Sequence, residues 1–97
     1  MIRTETTGDL TSVALEGNVG VDEVDSLQKA LDTAIGRGAV EVDLSTCLSL
    51  SSSAIGALIA SHNTLRHKGG RLRVRGANED LRRLLKLMGL DRHFELV

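Results

Sequence analysis

Two periodicities alternate along this chain. Near the N-terminus the period is two: Thr11, Val13 and Leu15 share one side of a segment from Leu10 to Glu16, and a polar run from Ile2 to Thr6 precedes it across the turn signal Gly8-Asp9. Alternation of this kind predicts strands, and a tight turn between two of them predicts a hairpin. Gly17-Asn18-Val19-Gly20 reads as a loop. The period then lengthens. Val24, Leu27, Leu31, Ala34 and Ile35 form one apolar helix face starting near Asp22, and Gly36-Arg37-Gly38 ends it. Asp22, Glu23 and Asp25 put negative charge in its first turn, where the helix dipole favours it.

The same succession repeats. Val40, Val42 and Leu44 predict a strand, a serine-rich loop follows, and Ile55, Leu58, Ile59, His62 and Leu65 mark a second helix face. Arg66, His67 and Lys68 crowd its last turn, and Gly69-Gly70 stop it. Leu72 and Val74 predict another strand, with Arg71, Arg73 and Arg75 on its opposite face. Asn78 is a good cap for a third helix, which Glu79 and Asp80 open and whose buried face is Leu81, Leu84, Leu85 and Met88. Gly89 closes that helix, and Phe94 to Val97 predict a last short strand. The order is β-β-α-β-α-β-α-β. Its β-α-β units call for parallel pairing with right-handed crossovers, and the hairpin adds an antiparallel element. The predicted fold class is α/β: a small mixed β-sheet with helices packed on it, in one domain spanning residues 1–97.

Composition narrows the function. Hydrophobic residues make up 41% of the chain, enough for an ordered core, yet Phe94 is the only aromatic side chain. Base-stacking platforms for single-stranded nucleic acid are therefore missing. A net charge of -1 gives no electrostatic case for nucleic acid or an anionic membrane. No apolar run is long enough to span a bilayer, and the opening Met1-Ile-Arg-Thr-Glu-Thr-Thr is not a signal peptide. The single Cys47 fits a reducing, cytoplasmic setting.

Catalytic and metal constellations are not visible. Cys47 has no histidine partner in a recognisable pattern and reads as a partly buried loop thiol. His62 and His67 are five apart, which does not bring them to one helix face; His62 reads as a boundary residue and His93 as isolated. Asp9, Glu41 and Asp43 make no paired-carboxylate site, and no phosphate-binding glycine loop is present. The arginines at 71, 73 and 75, with Arg82, Arg83 and Lys86, read as solvated faces. The expectation is a protein that is not an enzyme and carries no cofactor or metal.

What remains is the run Leu50-Ser-Ser-Ser-Ala-Ile-Gly56, hydroxyls placed where a helix begins. The first N–H groups of a helix lack intrahelical partners and the dipole favours an anion there, so a phosphorylated serine would be well placed.

Around this run the chain resembles the STAS domain of bacterial anti-sigma factor antagonists. The carriers are Asp43-Leu44-Ser45 ending a strand, Leu50 to Gly56, Gly17 ahead of the first helix, Gly69-Gly70-Arg71-Leu72, and Leu87-Met88-Gly89-Leu90. The resemblance covers essentially the whole chain, and the family usually carries a further helix beyond the position of Val97. It implies a regulatory module that binds an anti-sigma serine kinase, is phosphorylated by it and is reset by a phosphoserine phosphatase. Ser52 matches the phosphorylated serine, with Ser51 and Ser53 as alternates. The implied partner surface is Gly17, Asn18, Gly20 and Asp22 together with Leu50, Ser51, Ser53, Ala54 and Ile55, the apolar members forming a flat exposed patch. Ser51 and Ala54 stand where the family has Asp and Gly, and Gly17-Asn18-Val19-Gly20 stands where it has Gly-Glu-Leu-Asp. Small lone STAS proteins also serve as subunits of ABC-type lipid transport complexes, docking on the ATPase without phosphorylation; this is the alternative reading.

Overall fold

The computed structural model describes residues 1–97. In chain order the strands are β1 (Ile2–Thr7), β2 (Leu10–Leu15), β3 (Gly17–Val19), β4 (Ala39–Asp43), β5 (Cys47–Leu50), β6 (Arg73–Arg75) and β7 (Glu95–Leu96). The helices are α1 (Val24–Arg37), α2 (Ser52–His67) and α3 (Glu79–Leu87), with 3-10 turns at Val21–Glu23 and Leu90–Arg92.

A five-stranded sheet has the order β1-β2-β4-β6-β7. β1 and β2 form the hairpin, from Ile2↔Leu15 to Thr7↔Leu10. Every other pairing in this sheet is parallel. The mixed α/β fold read from the sequence is thus the observed one. One sheet face carries Val13, Leu15, Val40, Val42, Leu44 and Val74, all buried in a single core with Leu27 and Leu31 of α1 and Leu58 and Leu65 of α2. The other carries Ser12, Glu41, Asp43 and the arginines of β6. There Arg75 reaches Glu41 at 3.1 Å and Asp43 at 2.9 Å, so it is an ion-pair partner and not a free solvated charge.

Several expectations change. Gly17–Val19 is a strand, β3, and Cys47–Leu50, expected as loop, is its parallel partner β5. The pair is too short to show a period, and its register slips between Gly17 and Asn18, so no local pattern announces it. α1 starts at Val24, because Val21–Glu23 close a tighter turn first. Met88 is exposed: α3 ends at Leu87, Met88 is the cap, and Gly89 turns left-handed at φ 72, which takes Met88 off the buried stripe. Cys47 is a buried strand residue and not a loop thiol. His62 is a core residue, 3% exposed, wedged edge-on against Phe94 at 5.5 Å between ring centroids.

Candidate functional site at the start of the second helix

The serine run is held from both sides. Behind it, the Asp43 carboxylate accepts from the Ser45 backbone N–H at 2.9 Å and from Arg75, which fixes the turn leaving β4. Burial alone would raise the Asp43 pKa; the Ser45 hydroxyl and N–H and the Arg75 charge outweigh it and hold the carboxyl below its ordinary value. Beside it, β3 lies along β5. Gly17 N donates to Thr46 O at 2.9 Å, the Ser49 hydroxyl to Asn18 Oδ1 at 2.7 Å, and Ser51 N to Val19 O at 2.9 Å. The Gly17-to-Val19 segment therefore abuts the serine segment through main-chain bonds.

The helix start assigns each serine a position. Ser51 is extended (φ -68, ψ 161) and its hydroxyl accepts from Ala54 N at 3.1 Å, while its carbonyl accepts from Ile55 N at 3.0 Å. Ser51 is the N-cap. Ser52 is the first helical residue, and both Ser52 and Ser53 are exposed. Neither makes a side-chain hydrogen bond that the fold depends on. No acidic residue lies in the first turn of α2 itself.

The structure brings Gly17, Asn18, Gly20, Asp22, Ser51, Ser52 and Ser53 to one end of the molecule with at least part of each accessible. Leu50, Ala54 and Ile55, expected on the exposed patch, are core residues instead, at 9%, 0% and 4% exposure. Ala54 and Ile55 lie one helical turn before Leu58 and share its inward face, so the Ala54 methyl packs into the core and does not confront a partner. The apolar side chains that do project here were missed: Leu48 on β5 is 67% exposed and Val21 70%. No period in the sequence marks Leu48 as outward, since Cys47 and Leu50 are both buried and the pairing slips between them.

Other candidates resolve plainly. The Cys47 thiol donates to Ser49 O at 3.5 Å, and burial pushes its pKa up, which leaves it a protonated core group. Arg71 donates to the carbonyls of His93 and Phe94 at 3.1 and 3.0 Å, tying the final turn to the body of the domain. His93 is not isolated: its ring lies 5.9 Å from that of His62. No three His, Cys, Asp or Glu side chains converge as a metal site, and no helix is long and apolar enough to cross a membrane.

Known proteins were compared with this geometry. A family model described as the Mlab STAS domain matches residues 2–97. Comparison with curated proteins gave no match. Among solved structures, an anti-sigma factor antagonist from Mycobacterium paratuberculosis is 23% identical with a TM-score of 0.85, over 99% of this chain and 83% of that one. The Bacillus cell fate determinant SpoIIAA in its phosphorylated form is 19% identical with a TM-score of 0.80, over 100% and 91%. Its unphosphorylated form gives 16% and 0.83, over 100% and 87%. At these identities the structures share the fold, and the match across residues 2–97 gives the lineage: the chain belongs to the STAS domain family.

Proposed function

We propose that the protein is a regulatory binding module of the anti-sigma factor antagonist kind, docking on a serine kinase and released when Ser52 is phosphorylated. One observation carries the reading: Ser51 caps α2, which leaves the adjacent, exposed Ser52 hydroxyl free to be modified without uncapping the helix. Phosphorylation adds about 1.5 to 2 negative charges at pH 7. The unpaired N–H groups of the first turn accept them locally, so the fold is kept. The docking face is not indifferent. Leu48 and Val21 present apolar surface nearby, and a hydrated dianion beside it costs more to bury than a small interface returns. The switch blocks a surface and does not remodel one. Nothing in this scheme asks the protein to catalyse a reaction.

A second reading keeps the surface and drops the modification: docking on the ATPase of an ABC-type lipid transport complex. Its support is that the match by sequence is to the Mlab STAS domain, whereas the antagonists match in fold alone. Leu48 and Val21 would serve such docking equally well. Incubation with the cognate anti-sigma kinase and ATP separates the two. The first reading expects phosphate on Ser52 and loss of kinase binding. A protein that stays unmodified and copurifies with an ABC ATPase supports the second.

A further inference from the structure

The far end of α2 holds a second concentration of chemistry. His62, Arg66, Arg71, Arg92 and His93, with the Gly69-Gly70 turn, surround an open hollow of about 450 Å³ that no hydrophobic or acidic residue lines. None of the three arginines pairs with a carboxylate. A basic residue in the last turn of a helix complements its dipole, and Arg66 is explained that way. Arg92 and His93 close a different element, the three-residue 3-10 turn Leu90–Arg92, which is too short to build a dipole of comparable size. The carbonyls that end α2 would themselves repel an anion, but Gly70 N caps Leu65 O at 2.8 Å and Gly69 N caps Arg66 O at 3.0 Å.

His62 supplies an independent observation. Its Nδ1 accepts from Leu72 N at 3.4 Å, so in the neutral ring the proton sits on Nε2. That Nε2–H is buried and has no partner, although His62 is 97% buried and borders the hollow. A buried donor left unpaired is rare in a folded protein, and this one reaches an acceptor in the hollow only if the imidazole ring or the wall above it shifts. Burial holds the His62 pKa below its ordinary value, and the charges of His93, Arg66 and Arg71 lower it further. The site is electropositive even as the imidazole experiences it.

We propose that this hollow binds the phosphate groups of a small anionic ligand, with Arg66 and Arg92 gripping phosphate oxygens above the buried His62 ring. Guanidinium forks match phosphate oxygens, and three fixed positive charges suit a ligand carrying more than one negative charge. The volume exceeds that of one inorganic phosphate and falls among small-ligand sites, while the polar lining suits phosphate and gives an acyl chain nothing to bury against. Arg71, already committed to the carbonyls of His93 and Phe94, positions the wall that carries His93.

The source of the phosphate, a soluble polyphosphate ester or a lipid headgroup, is separated by two arms of one experiment. Full-length protein labelled with 15N at histidine is titrated with inorganic pyrophosphate at low salt, and separately sedimented with vesicles of phosphatidic acid or of phosphatidylcholine alone. The expected result is saturable movement of the His62 and His93 imidazole signals with a Kd below about 1 mM, weakened about tenfold or more in an Arg66→Gln/Arg92→Gln variant. Both arginines are exposed, so the variant retains the core. Sedimentation with phosphatidic acid alone, lost in the same variant, assigns the site to a headgroup; pyrophosphate binding without it assigns a soluble ligand. The proposal is overturned if neither probe binds by about 10 mM, or if binding is unchanged in the variant.

Discussion

Ser51, Ser52 and Ser53 are chemically identical neighbours in three different physical positions. Ser51 spends its hydroxyl on Ala54 N, whereas Ser52 and Ser53 face solvent. Ser51→Ala should therefore cost about 1 kcal/mol of stability, the usual worth of an N-cap. Ser52→Ala should change it by less than about 0.5 kcal/mol. Urea denaturation of the two variants checks this, and equal losses would mean that the capping assignment is wrong. His62 gives a second residue-scale outcome. Its pKa is lowered in the folded state, so between that value and the ordinary imidazole value near 6.5 the unfolded chain binds more protons. Stability is fully present above that window and falls as pH drops through it. Asp43 adds a separate loss at lower pH: its lowered carboxyl stabilises the fold above the unfolded carboxylate range and ceases to as pH falls through the folded value. Unfolding measured from pH 7.5 to 3 should show two falling regions, and His62→Gln should flatten the first.

Elements with a long enough run to display their period were legible. The α1 stripe of Leu27, Leu31, Ala34 and Ile35 and the β4 alternation of Val40 and Val42 are buried as the sequence suggested. The Asn78 cap is also in place, accepting from Leu81 N at 2.8 Å. What escaped the sequence was non-local. β3 and β5 together span seven residues and exist because each finds the other across α1 and β4. Leu50, Ala54 and Ile55 were misplaced because a run of serines implied a surface around it; Leu50 ends β5 facing inward, and the first turn of α2 carries Ala54 and Ile55 onto the face shared with Leu58. The Gly36-Arg37-Gly38 stop was visible as a signal, but its mechanism was not. Gly38 sits at φ 134, and a Cβ there would meet Asp9 O at 2.7 Å. Gly38→Ala should lower stability by about 2 kcal/mol, since strain and a backbone clash coincide. An unchanged urea midpoint would contradict this close approach of the α1 terminus to the β1–β2 turn.

At the scale of the molecule, α2 runs from the serine site to the basic hollow, while the sheet supplies the floor of the core. The two ends differ in kind. One is a flat edge of small, hydroxyl and isolated apolar side chains; the other is a polar depression rich in arginine. A switch at the flat end need not disturb the sheet. Phosphorylated protein should therefore keep its circular dichroism and the amide shifts of β1, β2, β4 and β6, with changes confined to β3, β5 and the first turn of α2. Broad shift changes across the sheet would mean that phosphate remodels the fold, contrary to the blocking mechanism. The direct measurement is intact mass and phosphosite mapping on protein isolated from its native host across growth conditions, beside a Ser52→Ala variant. The account predicts a gain of about 80 Da for one phosphate, located at Ser52 and absent from the variant. Phosphate confined to other residues, or none in any condition while an ABC ATPase copurifies, would contradict it.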